Sequence, residues 1–232
     1  MHKAAEEVAN IPIPVYVFLF ITILLAMILF FQATRSRLFL TLSLVWIIIQ
    51  AIIGTTGIYH NATMVPPPLL LFGMLPMILF IVWILSSSMG KQWIARCDLQ
   101  WLTFFHAIRI LVEGVLLLLY QSGSMSKWIT FEGSNFDILS GLTAPIVAYF
   151  AFRHGTVHRT LLVVWNILAL LLLLNVVITA VFCIPSPIQQ FAFDQPNRAV
   201  QYFPFHYIPV FLVPLVFLAH GMALKRLFRM EK

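Results

Sequence analysis

The chain has 232 residues, 61% hydrophobic and 9% charged, with a mean hydropathy of +0.97; a soluble domain carries about 25% charged residues. This composition excludes a soluble enzyme and describes a polytopic membrane protein, in which apolar runs of about 20 residues joined by short loops leave no room for a separate soluble domain. The net charge of +6 and pI of 9.6 have their cause in topology, because no basic helix with interleaved aromatics is present to bind nucleic acid.

The first ten residues are mixed in charge, and the run after them has neither a basic n-region nor a clear small-residue cleavage site. They read as leading into a retained helix rather than a signal peptide. Seven apolar runs follow in order, 12–31, 38–58, 69–86, 99–121, 136–152, 161–183 and 203–224, the fifth being the shortest. On one side of this arrangement lie Arg35, Arg37, Lys91, Arg96, Arg153, Arg159, Lys225, Arg226, Arg229 and Lys232. On the other lie Lys3, Lys127 and Arg198. The imbalance predicts an N-terminus outside and a C-terminus in the cytoplasm, and it holds only for an odd number of spans. The expectation is an all-α, single-domain bundle of seven transmembrane helices in a bacterial inner (cytoplasmic) membrane.

Tyr59, Tyr120, Trp128 and Tyr202 read as outer interface anchors, and Trp83, Trp93, Trp101 and Tyr149 as inner ones. The stretch 87–98, with Lys91, Trp93, Arg96 and Asp98, reads as a short amphipathic segment along the inner surface. Pro76, Pro145, Pro209 and Pro214 fall inside runs, where each removes a helix hydrogen bond and invites a kink, two of them in the last run. A faint internal echo joins Leu44-Val45-Trp46-Ile47-Ile48 to Val163-Val164-Trp165-Asn166-Ile167, and Leu75-Pro76-Met77 to Val213-Pro214-Leu215. It would suit three spans, a linker span and three spans.

The fourth run carries charges at membrane depth: His106, Arg109 and Glu113 at i, i+3 and i+7, on one stripe of a continuous helix. Arg109 lies about 15 Å and Glu113 about 20 Å from the inner end at 1.5 Å per residue. Charge is costly in lipid, so the stripe must face protein or trapped water. Arg109 and Glu113 form either an i, i+4 ion pair that locks packing or a ligand site, with Arg109 toward an anion or dipole and Glu113 toward a proton or cation. Asp137 opens the fifth run, either in a capping pattern with Ser134 or facing Glu113 as the second of two carboxylates.

Asn166 and Asn175, nine residues apart, point to opposite sides of the sixth run, Asn175 at the depth of Glu113. His206 stands at the outer end of the last run and is a candidate base. His106 and His220 share an inner depth and are the pair that could hold a haem or metal, although nothing else in the chain calls for a cofactor. His154 and His158 have HxxxH spacing, but sit between Arg153 and Arg159 in a headgroup-facing loop. The loop 184–202 is long enough for a lid or a plain connector. Asn61, Ala62 and Thr63 form a sequon. The last run has no mid-membrane lysine for a retinal Schiff base, and the histidines do not cluster as hydroxylase or hydrolase motifs do.

Three functions follow. The preferred one is a small carrier or receptor that binds an organic molecule or lipid in an outward-opening polar cavity between the fourth, fifth and seventh runs, lined by His106, Arg109, Glu113 and Asn175. The second is an intramembrane enzyme acting on a lipid or isoprenoid, with Glu113, Asp137 and His206 as catalytic candidates. The third is a structural subunit bound to a membrane protein partner.

Overall fold

The computed structural model describes residues 10–61, 63–153 and 155–230. Lys3, Lys232, His154, Ala62 of the sequon and the reading of the first nine residues lie outside the described residues. Within them all regular structure is helical, as expected of a backbone whose polar groups must be satisfied locally in lipid. The helices are α1 (Ile13–Thr34), α2 (Arg37–Thr55), α3 (Leu75–Ser86), α4 (Ser88–Arg96), α5 (Leu99–Phe105), α6 (Ile108–Gln121), α7 (Ile138–Phe152), α8 (Arg159–Phe182) and α9 (Val213–Arg229). Wide π turns, Leu69–Met74 and Ile208–Leu212, lead directly into α3 and α9. The last helix therefore starts five residues later than the run 203–224 implied.

Among the described residues six helices are long and apolar enough to cross a membrane: Ile13–Thr34, Arg37–Thr55, Leu69–Ser86, Leu99–Gln121, Arg159–Phe182 and Ile208–Arg229. The fifth run forms an apolar helix of 15 residues, about 22 Å long at 1.5 Å per residue, against a hydrocarbon core of about 30 Å. Leu99–Gln121 is 56% buried and Ile208–Arg229 is 67% buried over their most apolar windows, against 17–33% for the other four. The fourth and last helices are therefore the axis of the molecule. α1 and α7 pack on the fourth helix, while α3 and α8 pack on α9.

Short polar residues set the helix ends at one end of the bundle. Ser36 accepts from the Phe39 N–H, Ser87 from Gly90, and Asp98 from Gln100 and Trp101, each oxygen satisfying a donor that the helix leaves open. The 87–98 stretch is helical as α4, with Gly90 and Ile94 buried and Lys91 and Arg96 exposed. A one-residue turn joins it to α3, and only glycine fits at position 90, because a Cβ there would lie 1.7 Å from the Ile84 carbonyl oxygen. Cys97 beside it and Cys183 after α8 are both buried free thiols, and burial pushes Cys97 up to about 11.

Two of the prolines, Pro76 and Pro214, act through α2. Pro76 and Pro214 each deny an N–H to the carbonyl four residues earlier, Phe72 and Val210. Those two oxygens are met from outside their own helices: Gln50 Nε2 donates to Phe72 O at 3.1 Å, and Trp46 Nε1 to Val210 O at 2.8 Å. Trp46 and Gln50 are one turn apart on α2, so a single helix face serves both broken turns. The turns also touch each other, since a Cβ on Gly73 would come within 2.4 Å of Val210 Cγ1. Tyr59 completes the network by donating to Gln50 Oε1 at 2.6 Å; it is fully buried, a correction to its reading as an interface anchor. Pro209 opens the π turn as its second residue, a position that needs no N–H. Trp46→Phe, which keeps the aromatic packing and removes the donor, is expected to lower stability by about 1–3 kcal/mol. An unchanged unfolding midpoint would mean that the Val210 carbonyl has another partner.

The loop 184–202 is stitched to the segment after α6. Gln195 Nε2 donates to the carbonyls of Tyr120 and Met125, Asn197 Nδ2 to Ala180 O, and the Ser126 N–H to Asn197 Oδ1. Gln195 and Asn197 thus satisfy carbonyls at the C-terminal ends of α6 and α8, and the loop forms a fixed roof over that end of the bundle.

Candidate functional site

The fourth helix is not uniformly α-helical. At its midpoint the N–H groups of His106, Ala107, Arg109 and Ile110 reach back three residues, to Thr103, Phe104, His106 and Ala107. This tightened turn changes the phase between α5 and α6. Arg109 and Glu113, both on α6, keep a common face, and the three-residue turn brings His106 into line with Arg109, so that both side chains meet His220.

Arg109 does not pair with Glu113. Its guanidinium forks onto Asp137, with Nε to Oδ2 at 2.6 Å and Nη2 to Oδ1, while Nη2 also donates to Ala169 O at 2.9 Å and Nη1 meets His220 Nε2 at 3.2 Å. Two planar groups matched edge to edge give the strongest form of ion pair. Asp137 stands at the N-cap position of α7 but caps no N–H. Ser134 does not cap either: its hydroxyl donates to Trp128 O, and Asn135 Oδ1 takes the Asp137 N–H instead. The sequence reading misses the Arg109–Asp137 contact because the partners are 28 positions apart on different helices.

His220 is fixed by its neighbours. A guanidinium can only donate, so His220 Nε2 is the acceptor, and Nδ1 carries the proton toward Asn166 Oδ1 at 2.9 Å. Asn166 in turn donates to Leu162 O. His106 stacks on His220 with ring centroids 3.9 Å apart and meets Trp165 edge-on. Both nitrogens of His220 are engaged, and the two rings lie face to face. They do not fit axial ligands of a haem or donors to a metal, and among the described residues no group of three or more His, Cys, Asp or Glu could hold a metal ion.

Glu113 is buried and accepts at both oxygens, from the Phe131 N–H at 2.6 Å and from Asn135 Nδ2 at 2.5 Å. Asn135 also donates to Ile129 O. One carboxylate thus ties α6 to the segment that leads into α7, and Asn135 links the Glu113 and Asp137 carboxylates. Asn135 is the residue that sequence reasoning passed over; its place two residues before Asp137 was the available signal.

A cavity of about 80 Å³ opens beside these groups. Arg109, Glu113, Asn135 and Asp137 form one polar end, Asn197 lines it from the roof, and its walls are aliphatic side chains such as Val112, Leu173, Val177 and Val213. The cavity is framed by the fourth, sixth and seventh runs; the fifth contributes only Asp137, at its start. Three sequence candidates do not line it. His106 packs against His220 and Trp165, Asn175 is exposed and donates to Ser134 O, and His206 lies against Gly54 with Nε2 on the Gln50 carbonyl.

These helices, with a charged cluster buried between them, define a multi-pass membrane protein. The chain belongs to a family described as a domain of unknown function, DUF8737, whose model matches residues 65–228. The match includes Arg109, Glu113, Asn135, Asp137, Asn166 and His220, and leaves out α1 and α2. No curated protein and no solved structure matches the chain.

Proposed function

We propose that the protein is a small seven-span carrier or receptor of a cytoplasmic-type membrane, with its N-terminus outside, which takes up an organic molecule or lipid in the cavity beside Arg109 and Glu113. One observation carries this reading: an aliphatic cavity ends on the buried side chains of Arg109, Glu113 and Asp137 and on the amide of Asn135, the arrangement that holds an amphiphile by its body and orients it by its head. A bundle that needed only to pack its helices would close such a space, because buried charge is costly and voids forfeit dispersion contacts. The intramembrane enzyme reading retains Glu113 and Asp137 on one wall and loses His206 as a base. The subunit reading retains only the Arg109–Asp137 lock.

Val177→Trp, on the aliphatic wall away from the charges, separates these readings. Native mass spectrometry of the protein released gently from its own membrane is expected to show a retained small-molecule mass that the variant loses. A chemically altered lipid in cells overproducing the wild type would favour the enzyme. A stable protein partner with no small-molecule mass would favour the subunit.

A further inference from the structure

Resting on the cavity reading above, we infer that the ligand is an amphiphile with a cationic head, of the alkylammonium class, seated against Glu113. Arg109 is not available as an anion site. Four of its five N–H groups are engaged by Asp137, Ala169 and His220, and its charge is matched by the Asp137 fork. His220 adds no positive charge, because its Nε2 is occupied in accepting from Arg109. Glu113 has donors but, among the described residues, no cation within 4.0 Å. One guanidinium stands against two carboxyl groups, which leaves Glu113 on the cavity wall without a cationic partner of its own.

The local dipoles point the same way. Ala180 and Val181 bring the C-terminal end of α8 to the cavity, and that end of a helix favours a cation. The positive end of α7 is answered by Asp137 itself. Glu113 can accept an ammonium without releasing its present donors, because each carboxylate oxygen has two acceptor sites. A carboxylate or phosphate head would instead meet two carboxylates in a low-dielectric space. The aliphatic walls suit the apolar part of the molecule next to its head.

The test uses the full chain in a nonionic detergent and three probes of one chain length, decylamine, decan-1-ol and decanoate, with bound masses counted at neutral pH. Wild type is expected to retain decylamine at least tenfold over the other two, and Val177→Trp to retain none. Glu113→Gln is expected to lose the preference for the amine. Because that variant also loosens the segment before α7, the double variant Glu113→Gln, Asn135→Asp returns a carboxylate to the same corner and is expected to recover amine retention. If decanol or decanoate is held as well as decylamine, and is lost in Val177→Trp, the cavity stands and the cationic assignment falls. If wild type holds none of the three, or Val177→Trp holds as much as wild type, the cavity reading falls and takes the assignment with it.

Discussion

Arg109→Ala is expected to destabilise the protein by roughly 3–5 kcal/mol, the cost of leaving a buried charge without its partner. The Asp137 carboxylate is buried at the start of α7 and would lose both arms of the fork, and His220 Nε2 would lose the donor that fixes its tautomer. Arg109→Lys is expected to recover only part of this, because a point charge cannot serve Asp137, Ala169 and His220 together. The informative variant is the double replacement of Arg109 and Asp137 by leucine. It removes both charges, so most of the loss should disappear even though the pair is gone. Unfolding midpoints of purified single and double variants measure this. Equal losses in the double variant and Arg109→Ala would mean that the site depends on the guanidinium itself rather than on charge balance.

Much of this architecture was legible in the sequence, because membrane helices are written in hydropathy and lipid tolerates few alternatives. The third and fourth runs, 69–86 and 99–121, coincide with the helices found. The last run began too early because its apolar content extends through Phe203 and Phe205, whereas Pro209 favours the first turn of a helix and the chain before it folds into buried turns. The charges were also legible: His106, Arg109, Glu113 and Asp137 are all buried. Their pairing was not. The tightened turn at His106 keeps that residue in line with Arg109, but a stripe does not say which neighbouring helix each group meets. Long-range partners such as Arg109 and Asp137, or Trp46 and the Val210 carbonyl, are set by which helices touch, and periodicity within one helix does not contain that information. The repeat echo acquires one physical counterpart, since Pro76 and Pro214 both follow π turns.

Glu113→Gln looks conservative on paper and in this structure is not. Both carboxylate oxygens receive donors, the Phe131 N–H and Asn135 Nδ2, whereas a glutamine offers one acceptor and sets its own NH₂ against the other donor. Asn135 cannot simply flip, because its Oδ1 already holds the Asp137 N–H and its Nδ2 the Ile129 carbonyl. The expected cost is roughly 2–3 kcal/mol, that of a buried donor with no acceptor, and it should appear first as faster hydrogen exchange at the Phe131 amide and easier proteolysis between Ser122 and Asp137. Asn135→Asp in the same chain reverses the donor at that contact and should restore part of the loss. The restoration stays partial because the new carboxylate would face the Ile129 carbonyl with no hydrogen to give it. If Glu113→Gln left both exchange and unfolding unchanged, Glu113 would not be clamping this segment, and its carboxylate would be held for the ligand alone.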